Sequence, residues 1–359
     1  MKKSFSDFFP VPAFLEMRPM GLAISERVIH AVEFVKVRGS LRLGRFGTRP
    51  IPPGVIKEGY VNDKSVVTEI LRSLQKELSM EFVNASLPEE KSYLFKTEFP
   101  KAGVTDLRQA IELRLEDNVP ISGNDAIFDY MVIPESPNAD HIDVSVSASP
   151  SKVVLTYLEI IKAAGLKPLS FCVGVAATSR AVISHDDLGT FLIVNIEETS
   201  TDLSIVSRGV VQFNLTISIG GEALTTALEK HFSVDTKTAL KIKEERGFVK
   251  NRENMELFLS LMNTISAVKD EVNKLFSYWQ THQDSQGAAG KKIEKIILCG
   301  RDANLAGFDE YLSTSVKVPV EVAKVWQNAF SYDTHVPNIP FLDSLDYASA
   351  IGLALPREN

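Results

Sequence analysis

Two hydrophobic periods alternate along the chain, and the switches between them mark its elements. Residues 21–49 follow strand spacing, with Val28–Val37 and Leu41–Phe46 separated by Arg38-Gly39-Ser40, a hairpin signal. Ile51-Pro52-Pro53-Gly54 breaks the pattern. Helical spacing follows: Asp63 can cap a helix to about Leu78, with Val66, Val67, Ile70, Leu71 and Leu74 as its apolar stripe. Phe82–Leu87 reads as a strand. A separate block at 93–168 then runs strand (Tyr93–Phe99), helix (Leu107–Asn118, capped by Thr105 and closed by Pro120), strand (Ala126–Ile133), strand (Ile142–Ala148) and helix (Val153–Ala164, stopped at Gly165). That order predicts a small α+β insert.

The second half restarts the pattern of the first. Phe191–Ile196 is a strongly apolar strand, and Thr201–Ser207 and Val210–Ile217 form a hairpin about Arg208-Gly209. Gly220-Gly221 opens a helix over Glu222–His231, and another spans Lys237–Arg246. Apolar residues at three/four spacing from 255 to 279 predict a long core-facing amphipathic helix. Gln283–Gly290 is a polar, glycine-rich loop. Ile296–Leu298 is a buried strand leading into Cys299-Gly300, and a last helix covers Tyr347–Leu355. Each half thus opens with a strand, a turn and a hairpin, an internal structural repeat with little identity.

Composition narrows the functional classes. The 359 residues exceed one ordinary domain, and 44% hydrophobic with 24% charged residues is a globular balance rather than a disordered one. A formal charge of −7 supplies no chain-wide field for nucleic acid or anionic lipid. Cys172 and Cys299 lie far apart, and none of the six histidines stands four residues from another, so no metal site is expected. No stretch approaches the ~20 apolar residues of a membrane span. Asp7, Pro10, Pro12 and Glu16 interrupt the opening residues, so no secretion signal is expected there. The expectation is a cytoplasmic chain held near a membrane only by a partner. Phe5, Phe8, Phe9 and Phe14 would either pack back on the body or dock elsewhere. No GxSxG, HExxH or Walker pattern appears. Two α/β halves around a cleft nevertheless suit a nucleotide, since turn amides can cradle phosphate.

The order of these segments resembles the PilM branch of the actin-like ATPase superfamily, cytoplasmic proteins of type IV pilus assembly. The resemblance rests on IPPGVIKEGYVND, on the insert from EFPKAGVTDLRQA to IFDYMVI, on YLEIIKAAGLKPLSF, and on SIGGEALTTAL and YASAIGLAL. It implies an actin-like (ribonuclease H-like) fold. The first domain would comprise 1–92 with 169–188 and 325–359, the inserted subdomain 93–168, and the second domain 189–324. The family's nucleotide machinery maps poorly onto this chain. Its first phosphate loop falls on Ala23, Ile24, Ser25, Glu26 and Arg27, where an aspartate and a glycine are lost, and its usual lysine is His30. Its second falls on Asn195, Ile196, Glu197, Glu198, Thr199, Ser200, Thr201 and Asp202, again without the leading aspartate and the glycine. Its adenosine loop falls on Gly300, Arg301, Asp302 and Ala303. Its ribose helix keeps Ala239 and Lys243 but has Leu240 between them. Gly220, Gly221 and Thr225 survive.

Physics points the same way. At an effective dielectric near 20, a carboxylate in contact repels a unit negative charge by roughly 3–4 kcal/mol, against only about −8 kcal/mol for a micromolar ligand. Glu197 and Glu198 sit where phosphate would. ATP and magnesium are therefore disfavoured, with no other cofactor or metal expected, and Arg27 and Arg301 offset this only in part.

The resemblance implies a scaffold that binds the cytoplasmic tail of a PilN-type bitopic inner-membrane protein, with a homo-oligomer or ring allowed and with neither nucleic acid nor membrane insertion. The expected groove lies between the first domain and the insert, near Phe95, Phe99, Phe128 and Tyr130. The competing readings are a nucleotide-switched ATPase of the same machine and a cell-division or type II secretion relative. The closing ALPREN, without a membrane helix, speaks against the division branch.

Overall fold

The computed structural model describes residues 17–37, 39–101, 106–133, 140–281 and 292–356. Arg38, Thr105, the four N-terminal phenylalanines and the Gln283–Gly290 loop lie outside the described residues.

The first sheet begins with a meander of β1 (Met20–Ile24), β2 (Val28–Val37) and β3 (Ser40–Pro50). A two-residue ribbon of β4 (Ile56–Lys57) and β5 (Tyr60–Val61) leads into α1 (Lys64–Leu78). Asp63 caps α1 by accepting from the Val66 amide at 3.1 Å. Val67, Leu71, Leu74 and Leu78 form the helix's buried stripe, each contributing about 1.5–3 kcal/mol by leaving water. β6 (Phe82–Leu87) then runs parallel to β1.

The chain leaves this sheet to build β7 (Tyr93–Pro100), α2 (Leu107–Leu113), α3 (Leu115–Asn118), β8 (Ala126–Val132) and β9 (His141–Pro150), with sheet order β7-β9-β8. The single helix expected at 107–118 is broken at Arg114, and its cap is Asp106, which accepts from the Gln109 amide at 3.2 Å. The chain returns through α4 (Ser151–Ala163), β10 (Lys167–Val173) and α5 (Gly174–Val182). β10 has no strand signal in the sequence, since only one of that edge strand's seven residues is fully buried. The finished sheet has the order β10-β6-β1-β2-β3.

The second sheet repeats the plan. β11 (Thr190–Ile196), β12 (Thr201–Ser207) and β13 (Val210–Ile217) form its meander. Then come α6 (Gly221–Phe232), α7 (Thr236–Arg246) and α8 (Met255–Thr281), followed by β14 (Lys295–Cys299), α9 (Phe308–Val316) and β15 (Val320–Val322). β14 is parallel to β11, and the order is β13-β12-β11-β14-β15. The 27-residue α8 buries Leu257, Phe258, Leu261, Ile265, Val268, Val272 and Leu275 as its periodicity predicts.

The chain closes with α10 (Phe341–Ser344), a 3₁₀ turn at Leu345–Tyr347 and α11 (Ala348–Ala354). The last helix is thus shorter than the spacing suggests. α11 packs on β1 and α5 of the first lobe at backbone distance: a Cβ on Gly21 would lie 2.0 Å from the Ala350 carbonyl, and one on Gly352 would lie 1.7 Å from that of Ala177. One apolar core fills the second lobe and extends under Val32 and Phe34, a second fills the first lobe, and a third belongs to the insert.

Candidate functional site

The C-terminal ends of parallel strands β1 and β6 and of β11 and β14 converge between the lobes, where open α/β sheets present their sites. A cleft lies there, lined by Ser25, His30, Glu89, Glu197, Arg301 and Asp346 among others. A second, smaller hollow shares Ile24, Ser25, Glu89 and Glu197 with it and extends to Glu90, Tyr157 and Asp202.

The residues mapped to the phosphate loops do meet here. The β1–β2 turn is tight: the Ser25 amide donates to the Val28 carbonyl at 3.0 Å, and Glu26 accepts from the Glu58 amide. Arg27 reaches across to Glu222 at 2.7 Å, tying the lobes together. In the second turn the Glu197 amide donates to the Ser200 carbonyl at 2.9 Å. The Gly221 and Glu222 amides, at the start of α6, donate to the carbonyls of Glu197 and Glu198 at 2.9 and 2.8 Å. The Gly300 amide donates to the Leu345 carbonyl at 3.2 Å. Five amides mapped to or beside phosphate and adenosine loops are thus engaged inside the protein. Thr199 is half-buried beside the buried Ser200.

The two glycines of α6 are required by this internal packing. A Cβ on Gly220 would lie 2.6 Å from the Glu197 and Glu198 carbonyl oxygens, and one on Gly221 would lie 1.7 Å from Asp302 Oδ2. Gly300 has φ +85° and approaches the Ile196 carbonyl as closely. Lys243 Nζ pairs with Asp302 Oδ1 at 2.6 Å, both side chains only 7% exposed, and donates to Thr225 Oγ1 at 3.2 Å. Its charge is neutralised within the second lobe, while Arg301 is exposed at the rim of the cleft.

Carboxyls dominate what faces the hollow. Burial pushes Glu89 well above the usual carboxylate range, with the charges of Asp202, Glu197 and Glu90 adding to it. Burial likewise raises Glu197, with Asp202, Glu90 and Asp346 as the neighbouring charges. Glu90 is raised by burial too. Asp202 is raised to about 7 by burial, against the hydrogen bond from Thr216 at 2.6 Å. Burial and mutual repulsion favour the protonated form of these groups, and Lys91 offsets this only in part, at Glu90. Cys299, at the end of β14, is buried and its thiol is also pushed up, which makes it a poor nucleophile.

Glu89 and Glu90 do not belong to the residues mapped by the resemblance. Their signal was nonetheless present: two acids and a proline directly after an apolar strand, at the end of a strand that proves central and parallel. The Glu89 carboxyl lies against the first turn of α5, where a Cβ on Gly174 would be 1.7 Å from Oε1.

The four aromatics expected to line an open groove lie elsewhere. Register places Phe95 and Tyr130 across Val146, Phe128 across Ala148, and Phe99 across Ile142, all on one face of the insert sheet. Ile111 of α2 and Leu115 of α3 join that face, so Phe99 and Phe128 are buried and Phe95 and Tyr130 half-buried in the insert's own core. The correction follows from strand alternation, which commits all four to the helix-covered side.

Two sheets of this repeated plan around an interlobe cleft define an actin-like protein. The fold matches a chain of a PilM–PilN type IV pilus biogenesis complex, with a TM-score of 0.77, 20% identity, and coverage of 94% of this chain and 98% of that one. It also matches the ethanolamine utilization protein EutJ of Carboxydothermus hydrogenoformans (TM-score 0.55, 14% identity, coverage 96% and 90%). ADP-bound MreB5 of Spiroplasma citri matches as well (TM-score 0.53, 15% identity, coverage 93% and 94%). Residues 21–358 match the sequence profile of the type IV pilus assembly protein PilM, and the chain belongs to that family. Among the described residues, no helix is long and apolar enough to cross a membrane.

Proposed function

We propose that this protein is a type IV pilus assembly scaffold that binds the cytoplasmic tail of a PilN-type inner-membrane partner and does not turn over ATP efficiently. The observation that carries the second part is the cleft itself. Its turn amides are engaged internally and so do not face a phosphate, and acidic side chains of both lobes occupy the space between them. The first part is supported by family membership and by the likeness to a chain of the PilM–PilN complex.

For the tail we favour the seam between the first lobe and the insert. α4 of the first lobe packs beside β8, whose outer edge pairs with no other described strand. Ile127 and Met131 on β8 and Leu155 on α4 are exposed, Met131 by 52% and Leu155 by 55%. An extended peptide added to β8 would gain main-chain hydrogen bonds and rest apolar side chains on this strip. The test is fluorescence anisotropy with a labelled partner tail. Met131→Arg should weaken binding at least tenfold with the fold intact by circular dichroism. Unchanged affinity would remove this seam from consideration. Calorimetry with Mg·ATP tests the cleft: no heat at millimolar ATP is expected, and micromolar binding would restore the nucleotide-switched alternative.

A further inference from the structure

We propose that the interlobe cleft binds a linear polyamine, whose ammonium groups take their place among the carboxylates of Glu89, Glu197 and Asp202. The inference rests on the reading above that this cleft does not hold Mg·ATP, and is independent of the partner tail.

Three observations lead to it. First, acids from both lobes face one space and the surrounding cations are engaged elsewhere. Glu26, Glu89 and Glu90 come from the first lobe, and Glu197 and Asp202 from the second. Glu198 and Asp346 line the adjoining cleft. Arg27 is bound to Glu222, Lys243 to Asp302, and the Lys91 ammonium lies 4.4 Å from the centre of the Tyr60 ring. Arg301 alone among the described basic side chains lines this cleft, from an exposed position.

Second, His30 points to a missing ligand. It is 5% exposed, lines the cleft, and neither ring nitrogen makes a hydrogen bond. Nε2 lies 3.3 Å from Asp346 Oδ2 without forming one. The Ser349 hydroxyl beside it is equally unsatisfied. Buried polar atoms are normally paired. An imidazole, a hydroxyl and carboxylates together offer several acceptors, suited to a donor-only group such as ammonium.

Third, the acids are spread over two adjoining hollows rather than gathered at one point. The two share Ile24, Ser25, Glu89 and Glu197 in their linings. Carboxyls spread in this way suit several cations on a flexible aliphatic chain better than one compact ion. No group of three or more ligating side chains among the described residues is arranged to hold a metal.

Burial strengthens the hold of these carboxyls on protons, and an entering ammonium competes with those protons. Binding must therefore release protons and tighten as pH rises. Calorimetric titration of the full chain with spermidine, in two buffers of different ionisation heat, tests this. n-Butylamine, Mg²⁺ alone and Mg·ATP are the comparison titrants. Expected are net proton release, affinity at least tenfold tighter at pH 8.5 than at pH 6, and n-butylamine binding much more weakly. Glu197→Gln and Glu89→Gln should each lose tenfold or more while keeping the wild-type circular dichroism spectrum. Should a variant fail to fold, the pH dependence and proton release of the native chain still decide. Spermidine binding that is absent at millimolar concentration, insensitive to pH, or matched by Mg²⁺ alone overturns the proposal. Micromolar Mg·ATP binding overturns the scaffold reading of the cleft, whereas failure of spermidine with ATP also silent overturns the polyamine alone.

Discussion

The two lobes share one plan and solve the cleft differently. In each, a three-strand meander is extended by two parallel strands. Corresponding register pairs open the two turns: Ala23 with His30 in the first lobe, Asn195 with Asp202 in the second. The first lobe spans its turn with three residues, Ser25 to Arg27, and supplies its charge from a neighbouring strand end, at Glu89 and Glu90. The second lobe presses its turn against a helix start, which only Gly220 and Gly221 permit, and locks the junction with the buried Lys243–Asp302 pair. A repeated backbone thus meets the cleft by two devices, acids at a strand end in the first lobe and a glycine-dependent turn-to-helix contact in the second. The difference shows that symmetry of strands does not impose symmetry of chemistry.

Four tests probe this contrast, in descending order of effect. Lys243→Ala strands Asp302 as an unpaired buried charge and should cost about 3–5 kcal/mol by urea unfolding, whereas Lys243→Met with Asp302→Leu should recover most of it. If the single change is neutral, the second lobe is not locked by that pair. Gly220→Ala should cost about 2–3 kcal/mol through overpacking against two carbonyl oxygens and the Ser200 amide nitrogen. Gly209→Ala, in open space at φ +72°, should lose only the smaller backbone term.

The third test is electrostatic. Glu89, Glu90, Glu197 and Asp202 are raised above their ordinary values, so the folded chain retains protons that the unfolded chain has released. For Asp202 the contribution is therefore lost as pH rises from 3.8 to about 7, and the three glutamates act in the same direction above 4.5, at up to about 1.4 kcal/mol per pH unit for each group. Melting temperature should fall across that window, and Glu197→Gln should flatten the slope. A slope identical in the variant would remove Glu197 from the cluster. The smallest effect is expected for Arg27→Ala. Its interlobe pair is half-exposed on the Glu222 side, so the loss should be about 1 kcal/mol or less and should shrink further in high salt.

Much of the fold was legible in the chain. The α1 and α8 stripes announce themselves because each faces a core along its whole length. The edge strand β10 and the break at Arg114 were not, since little of the one is buried and the other depends on how the insert closes over its sheet. In the site, the resemblance located both turns and implied that Glu197 and Glu198 stand where phosphate would. It could not show that Glu89 faces Glu197 across the lobes, because they are more than a hundred residues apart and nothing local couples them. The groove aromatics failed for the same kind of reason: Phe95 and Phe128 read as exposed or buried only once a third element, α2, is placed over their sheet.

By itself, the sequence determined the local periods, the Asp63 cap and the repeated opening of the two halves, since these depend on neighbours a few residues away. Tertiary structure alone decided which acids share the cleft, where their charges are left without partners, and which glycines admit a second backbone. Those properties arise where strand ends from distant parts of the chain meet out of water, and burial there turns ordinary carboxyls into proton-holding ones.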